Sequence, residues 1–378
     1  MKCHGKKYMK KNILILPRAH IGDFIWATSA ISIIRKRNND ATITILLPSN
    51  LKKLLDSSIF DEAVFYNLSL FDHSNKLFRI IYKLFLFVKF KFCFFYKKFD
   101  ECFFFSPPIV LTKMTTHFDI NNFIFAKYEC CGHGVISQES IILKNAVNID
   151  KIKEIDSPQN SDYTHYSEIF QTTVRGYYGI TDIALPVLPA ISASQKTLAM
   201  ISTLKNKKIA VCLRGYINNS TKNYPLESFK YVISEISKHI SSAFYLVGSQ
   251  EQEEIAKDFI YAMKTDIEIH NLCGKTDLIE LKQLLSGMDL LISVDTGIPH
   301  IAATTGINMI TLFGFAAPDA VMPMSSTNIS IYKKIECSPC IYNMTFQKQT
   351  CPYAPESKCM KNISPNIIVK EALKILKQ

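Results

Sequence analysis

Short apolar runs alternate along this chain with stretches whose apolar positions recur every three or four residues, and that alternation predicts its elements. Residues 12–16, Asn-Ile-Leu-Ile-Leu, read as a first strand. Residues 17–23 follow as a loop. Over 24–37, Phe24, Ala27, Ile31 and Ile34 fall on one helical face, and Arg35-Lys36-Arg37 suits a helix C-terminus. Residues 41–47 alternate as a second strand up to Pro48. Strand, helix and strand in that order open a doubly wound parallel sheet. The same rhythm returns from Lys207 onward. Strands are expected at 208–213, 243–247, 268–272, 290–294 and 308–313, helices at 225–240, 250–263 and 277–288, and a last helix at 364–378. Between the halves, 107–160 shows neither period clearly, and 162–178 reads as a helix ending near Gly179. Leu185-Pro186-Val187-Leu188-Pro189 breaks regular structure and marks a linker.

Composition narrows this only a little. A chain of 378 residues can hold two cores, and 48% hydrophobic with 20% charged residues is a globular balance, not a disordered one. The net charge of +11 admits nucleic acid, anionic lipid or phosphorylated small molecules as partners without choosing among them. The apolar run 13–16 stops at Pro17-Arg18, too short for a signal peptide, and no apolar stretch reaches bilayer length, so a reducing cytoplasm is expected. Seven of the eleven cysteines (Cys3, Cys93, Cys102, Cys130, Cys131, Cys212, Cys273) show no regular spacing, which argues against a disulfide framework. Cys130-Cys131-Gly132-His133-Gly134 looks metal-like, but adjacent cysteines ligate one ion poorly and a loop is expected there.

Residues 77–99 interleave aromatics and lysines. Lys83, Lys89 and Lys91 rule out a comfortable membrane span. Two readings stand side by side: a helix lying in a membrane interface with its lysines at anionic headgroups, or an ordinary amphipathic helix packed on the sheet. Nucleic-acid binding by stacked aromatics is a third and weaker reading.

The candidate chemistry centres on 290–303. A buried strand runs into Asp295-Thr296-Gly297, and Pro299 suits a helix start. Unpaired N–H groups there would meet an anion, with Thr296 adding a hydroxyl, Gly297 close backbone approach and His300 a further donor. The plain alternative is a helix capped by Asp295 or Thr296. In the first half, Gly22 and Asp23 sit on the loop after the first strand, where Asp23 serves either as a general base, as an N-cap, or as both. Lys222 follows the first strand of the second half and is placed to reach a phosphate; an isolated lysine is otherwise solvated surface. Glu251 opens a helix, where a carboxylate can take ribose hydroxyls or simply complement the helix dipole. Cys337, Cys340, Cys351 and Cys359 have roughly zinc-ribbon counting and suggest a structural zinc or iron–sulfur site, with free thiols or redox pairs as the alternatives. No Walker loop, GxSxG elbow or HExxH motif is present, which leaves a metal-free transfer on a diphosphate-bearing donor.

Taken together, Ile13-Leu14-Ile15, Ile21-Gly22-Asp23, Lys222-Asn223-Tyr224-Pro225, Cys273-Gly274-Lys275-Thr276-Asp277-Leu278, Asp295 to Ala303 and Leu312-Phe313-Gly314 resemble the bacterial heptosyltransferases, glycosyltransferase family 9. The cysteine pattern with Cys359-Met360-Lys361-Asn362-Ile363 also resembles tails seen in that family. The resemblance implies an α/β GT-B fold, two Rossmann-like doubly wound domains facing across a cleft. Residues 1–190 would be the acceptor domain with the general base, 191–363 the nucleotide-sugar donor domain with the Cys-rich end, and 364–378 a helix crossing back to the first domain. It implies inverting, metal-independent transfer of a sugar, typically a heptose from ADP-heptose, to a lipid-linked lipopolysaccharide core at the inner face of the cytoplasmic membrane, with no nucleic acid involved. Asp23 would be the base, supported by Gly22. Lys222, Thr296, Gly297 and His300 would hold the donor diphosphate, with Asp295 shaping their turn. Glu251 would contact ribose, with Gln252 or Glu253 able to align instead. A family Lys-x-Trp-Pro element is Lys222-Asn223-Tyr224-Pro225 here. The rival readings are a sugar-nucleotide epimerase or hydrolase of the same fold and a non-catalytic nucleotide- or lipid-binding module.

Overall fold

Six parallel strands run through each half of the chain in the computed structural model, which describes residues 10–71, 74–127, 137–156, 164–190, 195–201, 207–215, 220–264, 266–340, 351, 353 and 357–377. The chain divides into two units, residues 1–189 and 190–378. The Cys130–Gly134 loop lies outside the described residues.

The first unit is built from β1 (Asn12–Pro17), α1 (Ile21–Arg37), β2 (Thr42–Pro48), β3 (Glu62–Tyr66), α2 (Lys76–Phe94), β4 (Lys98–Phe105), α3 (Ile109–Thr115), β5 (Asp119–Ala126), α4 (Gln138–Lys144), β6 (Ile152–Ile155) and α5 (Tyr166–Tyr178). Its strands lie in the order β3-β2-β1-β4-β5-β6, all parallel. Helix α1 departs from a simple amphipathic pattern. Phe24, Ile25, Trp26, Ala27, Ala30, Ile31, Ile33 and Ile34 are all buried, so it is covered nearly all round. Its polar Thr28 and Ser29 are tolerated because their hydroxyls bond back to the carbonyls of Ile25 and Trp26. Ser29 also meets Ser167 of α5.

The unreadable middle contains β5 and β6. Asp119-Ile-Asn-Asn opens β5 with polar residues, and β6 is a four-residue, half-buried edge strand. Neither carries a run long enough to stand out.

The second unit comprises α6 (Gln195–Met200), β7 (Lys207–Cys212), α7 (Leu226–His239), β8 (Ser242–Leu246), α8 (Glu253–Met263), β9 (Ile269–Asn271), α9 (Leu278–Ser286), β10 (Leu290–Val294), α10 (Gly297–Ala303), β11 (Asn308–Phe313), α11 (Pro318–Val321), β12 (Asn328–Tyr332), α12 (Lys358–Lys361) and α13 (Pro365–Leu376). The sheet order is β12-β11-β10-β7-β8-β9, again all parallel. Strand β10 is wholly buried, as its unbroken apolar run requires when helices cover both faces. The last helix, expected to return to the first half, belongs to the second unit. Its Ile368, Val369, Ala372 and Leu376 join the core formed by β10, β11 and α7. That face is apolar because it packs on its own sheet.

Candidate functional site

In an open parallel sheet, ligands bind beyond the carboxyl ends of the strands where the strand order reverses. In the second unit that point lies between β7 and β10, which are hydrogen-bonded neighbours. The chain leaves β10 through Asp295, whose N–H donates to the Leu312 carbonyl at 3.0 Å. Thr296 takes the N-cap position of α10 in extended backbone, and its side chain makes no capping bond. Gly297 is the first helical residue and Pro299 the third. Thr296 and Gly297 are half-exposed at the rim, whereas His300 is buried. Thr296 thus occupies the N-cap that the plain alternative offered, but its side chain does not hold the helix end. Helix α10 is only two turns long, so its dipole alone is a modest attraction for an anion.

The carboxylate of Asp295 instead meets a cation. Lys222 Nζ lies 2.7 Å from Asp295 Oδ2, and the Asp295 side chain is only 9% exposed. Lys222 comes from the loop after β7, so the two strands at the reversal each contribute one member of the pair. Its Nζ also stands 5.7 Å from the Phe315 ring centre. Two residues further on, Tyr224 anchors this loop. It is fully buried, edge-on to Phe229 at 5.1 Å, and its hydroxyl donates to the Ile363 carbonyl at 3.0 Å. Tyrosine thus gives this position a buried ring with a polar tip that finds a hydrogen-bond partner.

Gly215, not singled out by sequence, and Gln252, offered there only as an alternative ribose contact, complete this corner. A Cβ on Gly215 would stand 3.3 Å from Lys222 Cβ, so a side chain there would crowd the ion pair. Gln252 is buried and its Nε2 donates to the Gly215 carbonyl at 2.6 Å, tying the β8–α8 loop to the β7 loop. The three residues able to align at the ribose position therefore differ in what they touch. Gln252 is a strut, Glu253 pairs with Lys257 and receives a hydrogen bond from Gln250, and Glu251 is exposed beside Ser249 Oγ at 3.5 Å. The signal for Gln252 was Gly248, where a Cβ would collide with Gln252 Oε1 at 2.0 Å. Burial pushes the Cys212 thiol up to about 11 and the Cys273 thiol up to about 12, so neither is a thiolate nucleophile near neutral pH.

In the first unit the order reverses between β1 and β4, where Pro17 and Phe105 are register partners. Arg18 and Ser106 thus leave the sheet side by side, and Ser106 holds a left-handed backbone (φ 50) that its residue type rarely adopts. Asp23 lies in the first turn of α1. It is not the N-cap, which is His20. Arg18 Nε stands 3.4 Å from Asp23 Oδ2. The Arg18 guanidinium in turn lies 4.5 Å from the Tyr166 ring centre, and Tyr166 stacks on Trp26 at 5.7 Å. An aromatic pair from α1 and the start of α5 thereby fixes the arginine that faces the carboxylate. Gly22 is buried in the same first turn.

The structure gives the expected metal site at the four late cysteines no support. Among the described residues, no group of three or more His, Cys, Asp or Glu side chains is placed to hold a metal ion. Cys359 is a core residue, and the backbone of Gly314 comes so close that a Cβ would stand 2.7 Å from its sulfur. Burial, with neighbouring thiols adding to it, raises Cys340 to about 11, and burial also raises Cys359. Cys340 and Cys359 each feel the other late thiols, so the four cysteines share one neighbourhood without forming a metal-ligand group among the described residues.

Residues 171–352 match the family model of glycosyltransferase family 9 (heptosyltransferase). The chain is similar to lipooligosaccharide heptosyltransferase 2 of Campylobacter jejuni, 27% identical over 172 residues, which are 45% of this chain and 52% of the relative. The chain thus spans about half the length of the curated relatives it matches. Among solved structures it resembles the Escherichia coli ADP-heptose lipopolysaccharide heptosyltransferase II, with a TM-score of 0.67 at 16% identity over 97% of this chain and 99% of the other. It also resembles the E. coli heptosyltransferase WaaC with ADP, with a TM-score of 0.64 at 12% identity over 96% and 99%. Two six-stranded Rossmann-like units with this likeness make the fold GT-B.

Proposed function

We propose that this chain is a glycosyltransferase of family 9 that transfers a heptose from an ADP-heptose-type donor onto a lipopolysaccharide or lipooligosaccharide core, with inversion and without a metal. The observation that carries this reading is the Lys222–Asp295 pair at the strand-order reversal of the second unit, beside an N-cap hydroxyl not used for capping.

The reaction needs two things from the protein. The acceptor hydroxyl must lose its proton as its oxygen attacks the anomeric carbon, and Asp23 takes that proton, its carboxylate oriented by Arg18. The bond from the anomeric carbon to the diphosphate oxygen breaks as the new one forms, and ADP leaves carrying the extra negative charge. Lys222 meets that charge as a point cation already held in place by Asp295. The Thr296 hydroxyl, the Gly297 N–H and His300 supply further donors. Glu251, exposed at the start of the next loop, takes the ribose hydroxyls. The acceptor is lipid-linked, so the chain acts at the inner face of the cytoplasmic membrane as a peripheral protein. No helix among the described residues is long and apolar enough to cross a membrane.

The test is incubation with ADP-heptose and a heptose-deficient lipopolysaccharide core. Gain of one heptose by the acceptor, with the anomeric configuration inverted by NMR, is the expected result. Conversion of the donor with no gain by the acceptor would make the chain an epimerase or hydrolase, and binding without chemistry would make it a nucleotide-binding module.

A further inference from the structure

Helix α2 is amphipathic the wrong way round for a covering helix. Leu86, Phe90 and Phe94 face the first unit's core, yet the opposite and wider face is also apolar. Leu77, Ile81, Leu84, Phe85, Val88 and Phe92 stand on one continuous arc of that face, exposed to between 55 and 85%. With its neighbours this stripe presents on the order of 1,000 Å² of apolar side chain. A typical soluble monomer's largest apolar patch is roughly 300–600 Å². Something covers it.

The charges around the stripe say what. No Asp or Glu occurs from Lys76 to Phe99, while seven Lys and Arg residues do. Lys76 and Lys98 are exposed at the two ends of the element. The lysines on the two flanks are already engaged: Lys89 Nζ donates to the Phe65 carbonyl at 2.7 Å and Lys91 Nζ to the His117 carbonyl at 2.6 Å. They fasten the helix to its own unit, in place of the headgroup contacts expected from sequence. What remains outward is a convex apolar rod about 28 Å long with exposed cations at its ends. A second copy of the chain would set lysines against lysines in a two-fold contact with no acid from this helix to answer them. A bilayer with anionic headgroups takes both features at once.

We propose that α2 lies flat in the surface of an anionic lipid bilayer, its Leu77–Phe92 stripe immersed in the acyl boundary and Lys76 and Lys98 at the headgroups. This deepens the reading of a lipid-linked acceptor and rests on it, by naming the surface that holds the enzyme where that acceptor is.

The full-length chain is tested by co-sedimentation with vesicles of phosphatidylglycerol and phosphatidylcholine, against phosphatidylcholine alone. Wild type is expected to sediment with the anionic vesicles. Leu84→Gln/Val88→Gln/Phe92→Gln should lower the bound fraction at least tenfold, and Lys76→Gln/Lys98→Gln several-fold, with ADP affinity and melting temperature unchanged in both because these side chains face solvent. Phe85→Trp should show a blue-shifted emission on adding anionic vesicles, against the buried Trp26 that is the chain's one tryptophan. Wild type that ignores anionic vesicles, a triple variant that still binds them, or an unshifted emission from the Phe85→Trp variant each overturns the proposal. So does a dimer on size exclusion that the triple variant splits, since a second copy then covers the stripe. Vesicle binding without sugar transfer would sink the reaction alone, and transfer without vesicle binding would sink this proposal alone.

Discussion

Removing the Lys222 charge separates the two roles that one lysine is asked to play. Lys222→Met keeps the aliphatic stem and strands the Asp295 carboxylate, which is 9% exposed. Leaving a fully buried charge unpaired costs about 3–5 kcal/mol, and since Lys222 itself is a quarter exposed, about 2 kcal/mol is the figure to expect. For a unit of this size that is a fall in melting temperature of roughly 4–8 °C. If Lys222 also holds the donor diphosphate, ADP binding loses a charge-assisted contact worth about 1.5–3 kcal/mol, or roughly 10–100-fold in Kd. The double variant Lys222→Met/Asp295→Asn discriminates. It removes the stranded charge and should return stability to within about 1 kcal/mol of wild type, while ADP binding stays weak. Calorimetric titration with ADP and thermal melts on the three proteins give every number needed. A double variant that binds ADP as wild type does would reduce Lys222 to a neutraliser of Asp295. An unchanged melting temperature in Lys222→Met would show that the pair contributes nothing to the fold.

Three further outcomes follow from the same geometry. Asp23→Asn should lower the rate of heptose transfer by about 10²–10⁴-fold with ADP affinity unchanged, and normal turnover would remove the base assignment. Glu251→Gln, at an exposed position, should leave the melting temperature alone and weaken ADP binding by about tenfold; an ADP affinity equal to wild type would move the ribose contact elsewhere. Tyr224 is raised from 10.0 to about 12 by burial, so its stabilising effect is complete below pH 10 and is lost as pH rises toward 12, at about 1.4 kcal/mol per unit. Tyr224→Phe should cost about 1 kcal/mol at pH 7 through the lost bond to Ile363 and should blunt that alkaline loss, both read from denaturant melts across pH.

Much of the second unit was legible one residue at a time. Strands β10 and β11 fall where their apolar runs predict, and α9 is N-capped by Asp277, which makes a capping box with Glu280. Termini were less exact: α1 begins at Ile21, ahead of its apolar period, and that moves Asp23 from a possible cap into the first turn. Among the site residues, Lys222, Thr296, Gly297 and Asp295 come to one rim. Glu251 lies at the next loop in an exposed position, and Gln252 proves to be a strut. Gly215 was missed because it belongs to no motif, and Gln252 was offered only as a ribose contact; each matters through what the other loop brings against it.

What the amino-acid sequence determined by itself is whatever depends on near neighbours along the chain. Periodicity, turn chemistry and the order of strands and helices were enough to specify two doubly wound parallel sheets, since each of these is a local property of ten or twenty residues. Tertiary structure alone decided what lies against each face. It turned α1 into a helix buried nearly all round and joined Lys222 to Asp295 across two neighbouring strands. It folded α13 onto its own sheet and put the Cys359 thiol into a core. It also left the wider apolar face of α2 outside. An apolar stripe in a sequence states that something must cover it, and only the packed fold shows whether the protein does so itself.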